Sequence, residues 1–347
     1  MFKVILNLCR EAKLANEALG VFRKMREFGC RPDTTSFNIV IRMFCEKGDM
    51  DVVLVLIKEM ALIGIYPDMI TYIVSIKGFC EVGRLEDASG LVKVMRDQGC
   101  VPNVVAYSAL LDGFCKIGDF DKALELLGEM EKEENGGMPN VVTYTSLIQN
   151  FCDNGRTVEA LAVLDRMGSR GCFPNRVAIC TLIKRLCSDD NIEEAHKLIV
   201  KVVANGSVSR NECYSCLVVS LLRNKNMNEA NELFRWMLKN QIKPDGLASS
   251  ILIKQLCLDG QILEGFEYYD EMEKIDCLPS IDSNIYSILL VGLCQHGYSV
   301  EAVRLINAMV KRKIKVKASY TDSLIKSLQN SGEKELALHL KSAGIML

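Results

Sequence analysis

Apolar residues recur along this chain at alternating spacings of three and four. Between Val141 and Asn175, the residues Tyr144, Leu147, Ile148 and Phe151 fall on one face of a helix predicted from Val142 to Asp153. Asn154-Gly155 interrupts it, because glycine takes the left-handed geometry that a helix end requires. A second helix is predicted from Thr157 to Ser169, with Ala160, Leu161, Leu164 and Met167 on its apolar face. Gly171 ends it and Pro174-Asn175 opens the next unit, since proline fixes φ and biases its predecessor towards extended backbone. The alternation of period two that a sheet demands is missing.

This two-helix template recurs. All seven prolines occupy one position of it, at Pro32, Pro67, Pro102, Pro139, Pro174, Pro244 and Pro279, with gaps of 35, 35, 37, 35, 70 and 35 residues. The gap of 70 is a skipped proline at Ser209, and the gap of 37 a two-residue insertion near Glu134–Gly137. The units read as 1–33 (a truncated, irregular N-terminal repeat), 34–68, 69–103, 104–140 with the insertion and 141–175. They continue as 176–210 (degenerate), 211–245, 246–282 with two further residues, 283–317, and a partial C-terminal capping repeat at 318–347. Position 20 of the unit is small in Ala88, Ala123, Ala160, Ala195, Ala230, Ala302 and Ala337, which admits close helix approach. Position 27 is methionine at Met60, Met95, Met130, Met167, Met237, Met272 and Met309, read as inter-helix packing. The fold class is therefore all-α, a right-handed α-α superhelical solenoid of about nine 35-residue helix-turn-helix repeats. Its first helices should line the concave face.

Composition narrows the chemistry. A net charge of −2 excludes a globally basic nucleic-acid binder, so any attraction to phosphate must be local. The 15 cysteines mostly share two repeat positions, about a repeat apart and beyond disulfide reach, and read as small buried hydrophobes in a reducing compartment. Cys213-x-x-Cys216 is a lone pair on one predicted helix, where a structural zinc site needs four ligands, so packing is the expectation and no metal or cofactor. No phosphate-cradling or zinc-protease motif occurs, and the carboxylates at Glu193-Glu194 and Glu131–Glu134 read as solvated helix faces or a loop. An enzyme, a small-molecule substrate and a membrane span are not expected, and no separate targeting segment is visible.

Val141-Val-Thr-Tyr-Thr-Ser-Leu-Ile, then Phe-Cys-Asp-Asn-Gly, Glu-Ala-Leu, Met and Gly-Cys-Phe-Pro-Asn175, resembles the pentatricopeptide repeat; the run from Asn103 to Gly118 does so equally. The uninterrupted spacing is similar to the P-type subfamily of plants. The resemblance implies an organellar protein, in mitochondrion or chloroplast, that binds single-stranded RNA at roughly one base per repeat. It admits other RNA-processing proteins as partners. It also assigns roles by position. Position 2 packs against the base, which here gives Ile70, Val105, Val142, Val177 and Leu247, with Glu212 and Asn284 departing. Positions 5 and 35 read the base edge. Asn38 with Asp68 resembles a uracil-reading pair, Ser108 with Asn140 and Thr145 with Asn175 adenine-reading pairs, and Ser215 with Asp245 a guanine-reading pair. Ile73 with Asn103, Cys180 with Arg210, Ser250 with Ser280 and Ser287 with Lys317 assign no base, leaving 5′-U-n-A-A-n-G-n-n-3′. The Asp and Asn column has a second role open to it, because each precedes a predicted helix and both are favoured N-caps. Position 13, near the phosphate path, offers Lys116 and Arg223 as phosphate contacts but Glu46, Glu81 and Asp153 against them, so a shallow salt dependence is expected. A protein-binding solenoid and an inactive truncated paralogue remain alternatives to the RNA adaptor.

Overall fold

The computed structural model describes residues 2–133, 136–275 and 283–315. The regular structure among them is eighteen α-helices, and the chain divides into two compact units, Met1–Pro174 and Asn175–Leu347. The first unit holds α1 (Phe2–Glu11), α2 (Ala15–Glu27), α3 (Thr34–Lys47), α4 (Met50–Leu62), α5 (Met69–Glu81), α6 (Leu85–Asp97), α7 (Val104–Ile117), α8 (Phe120–Met130), α9 (Val141–Asp153) and α10 (Thr157–Ser169). The second holds α11 (Arg176–Ser188), α12 (Ile192–Ala204), α13 (Arg210–Arg223), α14 (Met227–Lys239), α15 (Gly246–Leu258), α16 (Ile262–Lys274), α17 (Ser283–Gln295) and α18 (Ser299–Lys311). Odd-numbered helices are the first of each pair and even-numbered the second. The capping repeat 318–347, Pro279, Ser280 and Lys317 lie outside the described residues.

The starts of the first helices follow from side-chain capping. Asp33, Asp68, Asn140, Asn175 and Asp245 each accept from the amide three residues on, at 2.8–3.1 Å, and Asn103 accepts from Val105 and Ala106. Ser209, at the skipped proline, accepts from the Glu212 amide at 3.3 Å, so α13 is capped like its neighbours. Each such cap contributes about 1 kcal/mol. Gly48 and Gly118 close α3 and α7 in left-handed geometry, φ 81° and 80°. The degenerate repeat has Asp190 at that place and the next has Lys225; both still take φ near 60°. The turn is thus kept without glycine, at a cost of roughly 1 kcal/mol each.

Within each unit the first helices pack along one row: α1, α3, α5, α7 and α9 in the first unit, α11, α13, α15 and α17 in the second. Each also packs on its own second helix. Of the alanines at position 20 and the methionines at position 27, Ala88, Ala123, Ala160, Met60, Met95 and Met167 are fully buried. Two glycines allow the first helices close neighbours. A Cβ on Gly78 would stand 2.8 Å from Cys45 Cβ on α3, and one on Gly113 would stand 3.2 Å from Cys80 Cβ on α5 and 2.6 Å from Leu85 Cδ2 on the second helix α6. In the degenerate repeat Leu182, Ile183, Leu186, Ala195 and Leu198 are buried and both helices are regular.

One expectation is corrected at the insertion. Residues 131–133 lie in a loop, as one reading had it, but Glu131 is not solvated and Glu133 is only partly so. The Glu131 side chain is 8% exposed, accepts from Tyr144 Oη at 3.0 Å and pairs with Arg166 at 2.9 Å. Glu133 accepts from Arg96 at 2.6 Å and Tyr107 Oη at 3.1 Å. The buried tyrosines at position 4 need partners for their hydroxyls, and the insertion supplies two carboxylates.

Candidate nucleic-acid interface

A first helix touches its neighbours in the row on two sides and its own second helix on a third; one stripe is left to solvent on α3, α5 and α15, whereas on α13 Ser215 and Val219 and on α17 Ser287 and Val291 are buried at the same places. On α5 that stripe is Ile70, Ile73, Lys77 and Glu81, positions 2, 5, 9 and 13, spaced as one helical face. The same positions are open on α3 at Thr35, Asn38, Arg42 and Glu46, and on α15 at Leu247, Ser250, Lys254 and Leu258.

Position 2 supplies exposed aliphatic side chains. Ile70, Val105, Val142, Val177 and Leu247 range from 45% to 72% exposed. A single exposed valine is ordinary. Five at one repeat position form a regular series of apolar surfaces along the two units.

The polar pairs are built differently from one another. Asn38 Nδ2 donates to Asp68 Oδ1 at 3.2 Å, so α3 and the cap of α5 meet directly. Thr71, at position 3 of the next repeat, ties the pair together: its hydroxyl lies 2.6 Å from Asn38 Oδ1 and 2.8 Å from Asp68 Oδ1, and its amide donates to Asp68. Burial opposes ionisation of Asp68, but the Thr71 amide and hydroxyl and the Asn38 amide hold its carboxyl below the ordinary value. Ser108 Oγ instead sits 3.4 Å from Thr143 Oγ1, which in turn donates to Asn140 Oδ1 at 3.2 Å. Thr145 donates to the carbonyl of Val141 at 2.6 Å and is nearly buried, while Asn175, the first residue of the second unit, caps α11. Ser215 is fully buried and accepts from the Asp245 amide at 2.9 Å, while the half-buried Asp245 carboxylate caps α15 and lies 3.8 Å from Arg176. At Asp68 one carboxylate oxygen, Oδ1, accepts both from the α5 cap amide of Thr71 and from Asn38, so capping and the contact with position 5 coexist there.

Three features were missed by sequence reasoning. Position 3 hydroxyls, Thr71 and Thr143, bridge positions 5 and 35. Position 9 carries exposed cations at Arg42, Lys77, Lys184 and Lys254, and the signal that could have found them is the four-residue step from position 5 to position 13. Arg176 reaches Glu212 at 3.4 Å and Asp245 at 3.8 Å, which explains how an acid is tolerated at position 2 of that repeat. Lys116 and Arg223 are exposed on the stripe as expected of their position, as are Glu46, Glu81 and Asp153.

Cys180 stands at position 5 of the degenerate repeat. Cys216, from the next first helix, approaches the Cys180 carbonyl at 3.7 Å. A hydrogen bond from the Cys216 thiol, working against burial and aided by Arg176 and Lys184, brings the Cys180 thiol down to about 7. Cys213 is buried in the core of the same helix. Among the described residues no three His, Cys, Asp or Glu side chains gather to hold a metal ion, and no helix is long and apolar enough to cross a membrane.

The sequence matches the PPR repeat family over residues 2–46, 32–81, 67–116, 102–135, 139–188 and 211–258, and the PPR repeat over 248–277 and 285–314. The pentatricopeptide repeat-containing protein At5g47360 of Arabidopsis thaliana is 48% identical over 337 residues, which is 96% of this chain and 71% of that protein. Among solved structures, PPR10 from maize superposes with a TM-score of 0.55 at 23% identity, over 94% of this chain and 51% of that one. PPR10 in complex with an 18-nt psaJ RNA element gives 0.55 at 19% identity, over 98% and 53%. The chain thus spans about half the length of the PPR10 chains it matches, and the likeness to them is one of fold: helix pairs stacked as a solenoid. With these sequence matches covering most of its length and helix pairs recurring at the same period, the chain belongs to the PPR repeat family.

Proposed function

We propose that this chain binds single-stranded RNA along the exposed stripe of its first helices, one nucleotide per repeat, and acts on an organellar transcript by occupancy. The observation that carries the reading is the coincidence on one stripe of exposed aliphatic residues at position 2 with polar pairs beside them, best formed at Asn38 and Asp68. An unstacked base offers an apolar face and a polar edge, and this surface has a counterpart for each. PPR10, of like fold, is a protein whose complex with an RNA element has been solved. No bond chemistry is required of the chain: a bound strand is shielded from nucleases and kept from pairing. The bases proposed are U at the repeat of Asn38 and Asp68, A at those of Ser108 with Asn140 and Thr145 with Asn175, and G at that of Ser215 with Asp245.

The test is a change of reading without a change of fold. Asn38→Thr combined with Asp68→Asn turns a U-reading pair into the kind found at Thr145 and Asn175. Asparagine caps a helix as well as aspartate does, so α5 should stay intact. In gel shifts with 5′-UCAACGCC-3′ and with its variant carrying A at the first base, preference should move to A at that base alone. A uniform loss of affinity for both strands would mean that the pair positions the helix and does not read. Equal retention of the target, its complement and a duplex would instead favour a protein-binding scaffold, for which the acids at Glu46, Glu81 and Asp153 speak.

A further inference from the structure

Charge at positions 9 and 13 is arranged differently in the two units. In the first unit Arg42 is followed four residues on by Glu46, Lys77 by Glu81 and Asp112 by Lys116, while α9 offers Gln149 and Asp153. Opposite charges at this spacing are neighbours on a helix surface. Their fields cancel over a few ångströms, and salt screens the remainder beyond roughly 8 Å. The stripe of the first unit therefore has no net attraction for an anion.

The second unit differs in each of its first three repeats. Lys184 is paired in sequence with Ser188, Arg223 with Val219 and Lys254 with Leu258, so each repeat has one cation and no acid at these two positions. All three cations are exposed, and none is in an ion pair among the described residues. The acid elsewhere on this stripe, Glu212, is met by Arg176 at 3.4 Å. Of the two acids one residue beyond the stripe, Asp189 is held by Arg185 at 2.6 Å and Asp259 accepts from the Gln255 side-chain amide at 3.0 Å. Positions 9 and 13 lie about one turn apart, roughly 6 Å along the helix, a distance that a flexible lysine or arginine stem spans. The three cations thus stand one per repeat, alternating between positions 9 and 13.

We propose that the phosphodiester backbone of the bound strand is held by the second unit, on Lys184, Arg223 and Lys254, and that the first unit adds base contacts without net attraction for phosphate. The proposal rests on the RNA reading above. Sequence position 13 alone pointed to Lys116 and Arg223. The proposal keeps Arg223, adds the exposed Lys184 and Lys254, and gives Lys116 no net share because Asp112 stands four residues before it.

The experiment is a salt titration of binding by fluorescence anisotropy with labelled 5′-UCAACGCC-3′, from about 50 to 500 mM KCl, where each neutralised phosphate of a single strand adds about −0.7 to the slope of log K against log salt. Three contacts give a slope of about −2. Lys184→Gln, Arg223→Gln and Lys254→Gln should each lower affinity about fivefold at 0.1 M salt and flatten the slope by about 0.7, and the triple variant should bring it near zero. Neutralising a first-unit ion pair away from the stripe, Glu86→Gln with Lys122→Gln, should leave affinity within about twofold and the slope unchanged. All these side chains are exposed, so circular dichroism should not change. If the unaltered chain binds selectively but the triple variant keeps its slope, or if the first-unit pair matters as much, the phosphate assignment is wrong and the base reading stands. If the unaltered chain does not retain the strand at all, the RNA reading itself is wrong.

Discussion

Cys180 is the side chain on the stripe with the most unusual chemistry. The repeats on either side carry hydroxyls at position 5, Thr145 and Ser215, whereas the Cys180 thiol, with Cys216 donating to it and Arg176 and Lys184 nearby, is held down to about 7. Burial pushes the row of packing cysteines the other way: Cys45, Cys80, Cys115 and Cys257 to about 12, Cys187 and Cys213 to about 11. The thiolate is the nucleophile in alkylation. Iodoacetamide labelling of the Cys180 peptide, followed by mass spectrometry across pH 5 to 10, should therefore rise with a midpoint near 7. Cys216→Ala removes the donor and should move that midpoint upward. A midpoint near that of an ordinary thiol, about 8.5, in the unaltered chain would contradict the geometry. None of this was visible in the sequence, where Cys180 with Arg210 was only a pair that assigned no base. The partner of Cys180 comes from the next repeat, 36 residues away, and a register that brings position 6 against position 5 appears only once first helices pack in a row.

At the scale of helices, capping and punctuation were largely legible: the predicted Thr157–Ser169 is α10, and Asn and Asp side chains cap the first helices as their place before each helix suggested, whereas the cap at Ser209, read only as a skipped proline, was not foreseen. These are local effects, governed by a few adjacent residues. What was not legible is contact between helices a repeat apart. Position 9 was overlooked because its column is broken by Asp112, Gln149, Val219 and Val291, and a broken column makes no pattern until the exposed stripe is seen. The glycines of the row were likewise unmarked. A Cβ at Gly78 would stand 2.8 Å from both Cβ and Sγ of Cys45 and 3.0 Å from Met50 Cε. Replacing a mid-helix glycine with alanine normally stabilises by up to about 1 kcal/mol, but overpacking costs about 1–3 kcal/mol. Gly78→Ala should consequently lower the urea midpoint. Gly90→Ala, on α6 with nothing within 4 Å of the new methyl, should raise it. Equal shifts for both would show that α3 and α5 do not approach as closely as described.

At the scale of the whole molecule, a period of 35 residues announced stacked helix pairs because each pair is too small to bury its own apolar face. The same modularity lets parts of the chain lose structure separately, and the distribution of stabilising carboxylates says which part yields to acid. Burial opposes ionisation of Asp33, yet hydrogen bonds from Lys3 and Ser36 bring its carboxyl down to about 2. Burial likewise opposes ionisation of Glu131, but Arg166 and Tyr144 hold it below its ordinary value, and Asp68 is lowered by Thr71 and Asn38. All three belong to the first unit. A carboxyl whose value is depressed on folding contributes stability that is complete above its unfolded value, near 4, and is lost as pH falls through its folded value. For Asp33 that window closes at about 2. The single tryptophan, Trp236 on α14, reports the second unit, whereas far-UV circular dichroism reports both. Acidification from pH 5 towards 2 should thus remove helical signal before the Trp236 emission maximum moves to longer wavelength. Glu131→Gln should lower stability at neutral pH by about 2 kcal/mol, the worth of its charged hydrogen bonds, and reduce the loss between pH 5 and 3. Coincident circular dichroism and emission transitions would mean instead that the two units unfold as one, and that their carboxylates act on a common equilibrium.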